Sequence, residues 1–248
     1  MRNIKLTIEY DGSRYSGWQR LGKGESEQTI ENKVIEVIQK MTGKEVELNA
    51  GSRTEVGVHA YGQVANFKTD SGMKLYEIKN YLNRYLPMDI AVIDVEEMGE
   101  RFHASLNAKS KTYIYRIAIG DVPSVFDRKY TYYCFKKPNL EYMKLAAKQL
   151  IGRHDFVKFS SVKKSKSTEK EIHSIDIYQD SKEIQITMKA NDFLHNMARM
   201  IVATLLEVGL EDRSVNDVIK LLDPKSPESA SAPASAQGLF LQEVEYLR

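Results

Sequence analysis

The sequence predicts an α+β protein of two domains, because one order of elements occurs twice along the chain. Each half reads as strand, helix, strand, strand, helix, strand, which is the split βαβ or ferredoxin-like arrangement. We expect mixed, mainly antiparallel sheets, with residues 1–105 in the first domain and residues 106–248 in the second. Because loops of both halves carry candidate residues, we expect a catalytic cleft between the domains.

Alternation and helix-capping signals predict the elements of the first half. Apolar and polar residues alternate from Ile4 to Tyr10, which is typical of a half-buried strand. Thr29 precedes an apolar stripe at helical spacing and Gly43 follows it, so a helix should lie between them. The remaining predicted elements are strands over 45–50 and 61–68, a helix over 75–86 and a strand over 90–95.

The second half shows the same signals without a residue-level repeat of the first. Pro138 and Gly152 mark the two ends of its first helix. The predicted elements are a strand over 112–119, a helix over 139–151, strands over 172–179 and 183–190, helices over 193–208 and 215–222, and a strand over 239–246.

Composition places the chain among ordinary globular proteins. Of its 248 residues, 42% are hydrophobic and 28% are charged, and the chain is long enough for two domains. A net charge of +2 does not by itself indicate nucleic acid, so an RNA-binding face would need segregated basic residues. The single cysteine, Cys134, excludes an internal disulfide framework. With no signal-peptide pattern and no apolar run of ~18 residues, we expect a cytoplasmic protein.

Missing motifs exclude several reaction classes. The five histidines show no metal-ligand spacing and have no cysteine pair to join. The sequence has no phosphate-binding loop and no dinucleotide fingerprint, and it lacks the Gly-x-Ser-x-Gly pattern. A cofactor-free enzyme or a binding protein remains, and no metal is expected.

The most concentrated chemistry lies in residues 50–60, here called the polar loop, which read AGSRTEVGVHA. Gly51 and Gly57 bracket a guanidinium, a hydroxyl and a carboxylate, as expected where a backbone turns sharply beside a ligand. Composition alone still favours an ordinary loop between two strands.

Two other segments combine basic residues in a way that suits RNA. In the loop after the first strand, cations and rings are interleaved, which would let rings stack on bases while cations meet phosphates. Equally, its two rings could anchor the loop to the core, and composition does not decide between these roles. This loop contains Arg14, Tyr15, Trp18, Arg20 and Lys23.

A lysine-rich segment further along the chain predicts a mobile loop, whose lysines are either solvated or contact phosphates. It contains Lys158, Lys163, Lys164, Lys166 and Lys170.

Three further positions have an ordinary structural interpretation when taken alone. Alternation places Tyr113 and Tyr115 on one face of a strand, where core aromatics are common. A single helix arginine such as Arg199 is usually solvated. Leu239 opens a strand and would usually belong to the core.

In combination, these segments resemble the tRNA pseudouridine synthase A family, with motifs in order from residue 7 to residue 241. Besides the polar loop, the matching segments are 10–19, 102–116, 193–202 and 232–241. The resemblance implies the pseudouridine synthase fold and a homodimer that acts without a cofactor. It also implies isomerisation of uridine to pseudouridine at positions 38 to 40 of the anticodon stem-loop of tRNA.

The resemblance also implies residue roles. Glu55 matches the carboxylate that acts as nucleophile or base, and Arg53 or Arg199 would pair with it, in roles that could be exchanged. Tyr113 would stack on the target base and Leu239 would line the uracil pocket. The implied catalytic residues are Glu55, Arg53, Tyr113 and Arg199, and the implied substrate-binding residues are Tyr113, Leu239, Arg14 and His59.

Glu55 stands where the family has an aspartate. Its carboxylate lies one methylene, about 1.5 Å, further from the backbone, and a displacement of about 1 Å can cost about a hundredfold in rate. Three interpretations are therefore open. The chain is an active synthase that uses glutamate, a tRNA-binding homologue with weak or no isomerase activity, or a variant into which the glutamate was introduced.

Overall fold

A computed structural model describes residues 1–20, 22, 26–161 and 167–247. Four lysines of the two basic segments lie outside these ranges: Lys23, Lys163, Lys164 and Lys166. The chain divides into two compact units. Unit 1 comprises Met1–Lys109 and Phe240–Arg248, and unit 2 comprises Ser110–Leu239.

The described ranges contain ten strands and five α-helices. The strands are β1 (Arg2–Tyr10), β2 (Asn49–Ala50), β3 (His59–Thr69), β4 (Ile90–Met98), β5 (Ala108–Ala118), β6 (Tyr132–Tyr133), β7 (Gly152–Asp155), β8 (Glu169–Gln179), β9 (Glu183–Ala190) and β10 (Leu239–Tyr246). The helices are α1 (Ile30–Thr42), α2 (Leu75–Tyr85), α3 (Leu140–Leu150), α4 (Met197–Gly209) and α5 (Val215–Leu221).

The sheet of unit 1 is centred on β1 and β3. β1 pairs antiparallel with both β3 and β4, and β2 pairs antiparallel with β3. The last strand, β10, pairs parallel with β3, where Phe240 lies opposite His59 and Leu241 lies opposite Ala60. The alternation predicted for the first strand is present, since Ile4, Leu6 and Ile8 are fully buried.

Helix α1 shows how local sequence sets the boundaries of an element. The Thr29 side chain accepts a hydrogen bond from the Asn32 backbone N–H, which caps the first turn. Gly43 ends the helix with a φ of +69°, a left-handed conformation that costs glycine little. Between them, Val34 and Ile38 are fully buried on the apolar face.

The sheet of unit 2 has the order β5, β9, β8, β7, with antiparallel pairing throughout this series. The short strand β6 pairs parallel with β5. Side chains of β5 and β9 form much of the core, and those that are fully buried include Tyr115, Ile117, Ile184, Ile186 and Met188.

The predicted α+β class with mainly antiparallel pairing is confirmed, and the differences are local. The strand expected over 45–50 is limited to β2, and the short strands β6 and β7 were not predicted. Helix α4 begins at Met197, because Asn196 before it adopts a φ of +65° that a right-handed helix does not allow. The predicted domain boundary lies near residue 105, and the division into compact units differs from it in that β10 from Phe240 onward belongs to unit 1.

None of the helices in the described ranges combines the length and the apolar character needed to cross a membrane.

Candidate active site

The polar loop connects β2 to β3 in unit 1. Its backbone directs side chains alternately inward and outward, so that Ser52 and Thr54 are buried while Arg53 is exposed and Glu55 is partly exposed. Arg53 makes no side-chain hydrogen bond or ion pair within the described ranges. The loop therefore presents a guanidinium and a carboxylate two residues apart, at its surface.

A buried polar network holds the inward side of this loop. The Tyr10 and Thr54 hydroxyls lie 2.6 Å apart, and burial raises the pKa of Tyr10 so that its phenol stays protonated. Gln63, which is fully buried, donates to the Ser52 carbonyl at 2.7 Å and accepts from the Ser52 N–H at 3.1 Å. Side chains of β1 and β3 thus fix, from the buried side of the loop, the backbone that carries Arg53 and Glu55.

The loop after β1 packs against the polar loop. The Trp18 backbone N–H donates to the Thr54 carbonyl at 3.0 Å. A Cβ on Gly17 would lie 2.9 Å from that carbonyl oxygen, and the residue has a φ of +90°, so both space and conformation favour glycine here.

The rings of this loop anchor it to the core. Trp18 is 1% exposed and Tyr15 is also buried, so neither presents a face on which a base could stack. Of the two roles left open for these rings, the structure shows the anchoring one, because their apolar surface is buried by the protein.

The two remaining candidates of unit 1 differ in exposure. The Arg14 side chain is 72% exposed and forms a forked ion pair with Asp89, at 2.9 Å from Nε and 2.5 Å from Nη2. His59 is 1% exposed, accepts a hydrogen bond from the Gly12 N–H at 3.1 Å and stacks on Phe240 with ring centroids 4.6 Å apart. The ring of His59 is thus packed inside unit 1, where it supports the start of β3, and its contact with substrate stays a prediction.

In unit 2, two tyrosines of β5 occupy the face predicted for them. Tyr113 is buried and meets the Phe193 ring edge-on, with centroids 5.0 Å apart. Tyr115 is fully buried and donates from its hydroxyl to the Ser235 carbonyl at 2.8 Å. Burial raises the pKa of Tyr115, and the positive charge of Arg199 partly opposes that rise.

Arg199 lies in the first turn of α4 and is half-buried. Its Nε donates to the Ala234 carbonyl at 2.6 Å, and its Nη1 donates to Asn196 Oδ1 at 3.2 Å. Tyr115 and Arg199 therefore hold the carbonyls of consecutive residues, Ser235 and Ala234. Shortly after this segment, Leu239 is buried where β10 begins.

Two residues that support these positions, Gln63 and Asn196, have no signal in the sequence. Tyr115 was predicted as a strand-face aromatic beside Tyr113, but its hydrogen bond to the Ser235 carbonyl was not. Gln63 and Asn196 act through their local geometry, which composition and periodicity do not show.

The lysines of the predicted mobile loop that fall in the described ranges have protein partners. Lys158 donates to the Ser226 carbonyl at 2.6 Å, and Lys170 pairs with Asp192 at 3.1 Å. In the described ranges, no group of three or more histidine, cysteine, aspartate or glutamate side chains is arranged to hold a metal ion.

Comparison with known proteins identifies the family. A sequence profile described as tRNA pseudouridine synthase matches residues 6–107 and 146–247. Proteins named tRNA pseudouridine synthase A 2 from Bacillus cereus and from Bacillus anthracis are each 45% identical over 247 residues, covering 99% of this chain and 100% of theirs. Among solved structures, an archaeal box H/ACA sRNP Nop10-Cbf5 complex aligns with 82% of this chain and 44% of its own, at 10% identity and a TM-score of 0.37. The family predicted from five sequence segments is confirmed, and the chain belongs to the tRNA pseudouridine synthase family.

Proposed function

We propose that this protein isomerises uridine to pseudouridine in the anticodon stem-loop of tRNA, at positions 38 to 40. The observation that carries the proposal is the polar loop, which presents Arg53 and Glu55 outward from a backbone fixed by buried hydrogen bonds. Membership of the synthase family and the names of its relatives support the same reaction.

The reaction is balanced within one nucleotide and is redox-neutral. The bond between C1′ of the ribose and N1 of uracil breaks, the base turns while it is held, and C1′ bonds to C5. C5 loses its hydrogen as a proton and N1 gains a proton, so no co-reactant is consumed. The protein needs only a carboxylate, charge complementarity and a pocket for the base.

The proposed roles are those that the family resemblance implies. Glu55 is the nucleophile or base, and Arg53 or Arg199 is the cation that acts with it during the reaction. Tyr113 contacts the base and Leu239 lines the uracil pocket. Because the target nucleotide lies in structured RNA, it must leave its stack to reach these groups, and the exposed Arg14 contacts the RNA backbone.

Release of tritium from tRNA labelled at uracil C5 tests the reaction directly, because C5 loses its hydrogen only when the new bond forms. We expect release from unmodified tRNA without any added cofactor. If a stoichiometric amount of protein releases no tritium, the isomerase proposal is wrong. The alternative, a tRNA-binding homologue with weak or no activity, would then be supported if binding persists.

Substitution of Glu55 tests the role of the carboxylate. Glu55→Gln should abolish tritium release, since an amide is neither nucleophile nor base at this position. Glu55→Asp should raise the rate, by up to about a hundredfold if carboxylate reach limits turnover. An unchanged rate for Glu55→Asp would show that the polar loop already places the longer side chain correctly.

We also propose that the enzyme acts as a homodimer in the cytoplasm. Family resemblance supports the dimer, and the tRNA substrate together with the unpaired thiol of Cys134 supports a reducing compartment. Light scattering with and without tRNA would measure the oligomeric state, and a monomer under both conditions would contradict the first part.

A further inference from the structure

Asn196 has an unusual backbone conformation at the start of α4. In the described ranges, only Asn196 and Glu211 are non-glycine residues with positive φ, each at +65°. A left-handed conformation is costly for most side chains, and asparagine tolerates it better than others. Such strain persists only where the surroundings fix it, so the contacts of Asn196 indicate what holds it there.

The side chain of Asn196 links two segments. Its Oδ1 accepts from Arg199 Nη1 at 3.2 Å, and its Nδ2 donates to Ser161 Oγ at 2.9 Å. A guanidinium has donors only, so the amide oxygen must face Arg199 and the amide nitrogen must face Ser161. Backbone hydrogen bonds hold the same turn, since the Ser161 N–H donates to the His195 carbonyl at 3.2 Å.

Two contacts on different nitrogens restrict the Arg199 guanidinium. Nε donates to the Ala234 carbonyl and Nη1 donates to Asn196. Because the guanidinium is planar and rigid, two such bonds define the direction in which its remaining N–H groups point. A free arginine side chain would instead sample many rotamers, and that freedom would have to be lost at each turnover.

We propose that Asn196 is a positioning residue that aims Arg199 at the reacting nucleotide. This inference rests on the proposed function, which makes Arg199 an active-site group. Arg199 lies three residues after Asn196, which is about one turn of the helix. The left-handed conformation of Asn196 directs its side-chain amide toward this first turn, where it reaches the guanidinium. The strain at residue 196 is thus coupled to the orientation of the arginine.

Asn196→Gly separates this role from a purely structural one. Glycine accepts a positive φ without strain, so the variant keeps the turn and removes only the amide. We expect a melting temperature close to that of the natural sequence, a kcat lower by about ten- to a hundredfold and a KM for tRNA changed less than threefold. Glu211→Gly is the matched control, because it relaxes the same φ at an exposed site at the end of α4 and should leave kcat unchanged.

Asn196→Asp provides the conservative variant. A carboxylate tolerates the left-handed conformation and still accepts from Arg199, although it cannot donate to Ser161. It should retain more activity than Asn196→Gly. Full kcat in Asn196→Gly, or a loss of kcat as large in Asn196→Asp, would overturn the proposal.

A readout independent of turnover covers the case in which the proposed function fails. The Arg199 Nη1–H protons should exchange slowly in the NMR spectrum of the unsubstituted protein and of Glu211→Gly, and faster in Asn196→Gly, because Asn196 accepts from Nη1. An absence of tritium release from the unsubstituted protein would refute only the proposed function. An unchanged Nη1–H exchange rate in Asn196→Gly would refute the positioning role of Asn196.

Discussion

Gln63 holds the start of the polar loop through its side-chain amide. Its amide acts as a clamp: Nε2 donates to the Ser52 carbonyl, while Oε1 accepts from the N–H groups of Ser52 and Val64, both at 3.1 Å. All these groups are buried, so the loss of one partner leaves another without a hydrogen bond. Glu55 follows Ser52 by three residues, and a shift of Ser52 would therefore move the carboxylate.

Gln63→Met should consequently lower both stability and turnover. The variant keeps the approximate length of the side chain but removes the hydrogen bonds that Gln63 makes to the Ser52 N–H and carbonyl, at a cost of about 1–3 kcal/mol in the free energy of unfolding. Urea denaturation measures that cost and tritium release measures turnover. Gln242→Met, at an exposed position of β10, is the control and should change neither quantity. Wild-type turnover in Gln63→Met would show that the clamp does not position the loop.

At the scale of elements, Asp192 joins three parts of unit 2. It follows β9, pairs with Lys111 of β5 at 2.6 Å, and pairs with Lys170 of β8 at 3.1 Å. Burial alone would raise the pKa of this carboxyl, but the two lysines outweigh it and hold the pKa below its ordinary value. Asp192 also lies shortly before Asn196, so the same ion pairs restrain the segment that leads into α4.

The sign of this pKa shift predicts a pH dependence. A carboxyl whose pKa is lowered in the folded state stabilises the protein above its unfolded pKa, about 3.9, and loses that effect as the pH falls through the folded pKa. Asp192→Asn should lower the free energy of unfolding at pH 7 by about 1 kcal/mol, a modest value because the side chain is 41% exposed.

Urea denaturation at pH 7 and at pH 3 would test this expectation. The difference between Asp192→Asn and the natural sequence should shrink at the lower pH. Asp176→Asn, at an exposed position of β8, should have little effect at either pH. A difference that is equal at both pH values would show that packing, rather than charge, accounts for the role of Asp192.

Elements with strong local signals were predictable, and those without were not. Helix α1 followed from Thr29, Gly43 and its apolar stripe, all of which act within the helix. Strands β6 and β7 have two and four residues, too few for alternation to be recognised. The start of α4 depends on the φ of Asn196, which tertiary contacts impose. The polar loop itself was recognised by its motif, but the buried side chains that support it were not predicted.

At the scale of the whole molecule, the first unit is discontinuous in sequence. It is closed by β10, whose pairing partner β3 precedes it by about 180 residues along the chain. Alternation predicted β10 as a strand but could not specify its partner, because local periodicity contains no information about pairing over such a separation. The end of the chain is therefore expected to contribute to the stability of the unit that carries the polar loop.

Leu241→Ala tests this dependence. Leu241 is 0% exposed and pairs with Ala60 at the end of the polar loop, so its truncation should lower the free energy of unfolding by about 2–5 kcal/mol. Hydrogen exchange should then accelerate in β1 and β3, far away in sequence, because these strands share the core that β10 closes. Leu247→Ala removes a side chain that is 77% exposed and should change stability by less than about 0.5 kcal/mol. Faster exchange in Leu241→Ala that is confined to β10 would contradict this expectation. It would show that β10 packs on unit 1 without being part of its core, and that the polar loop does not depend on this strand.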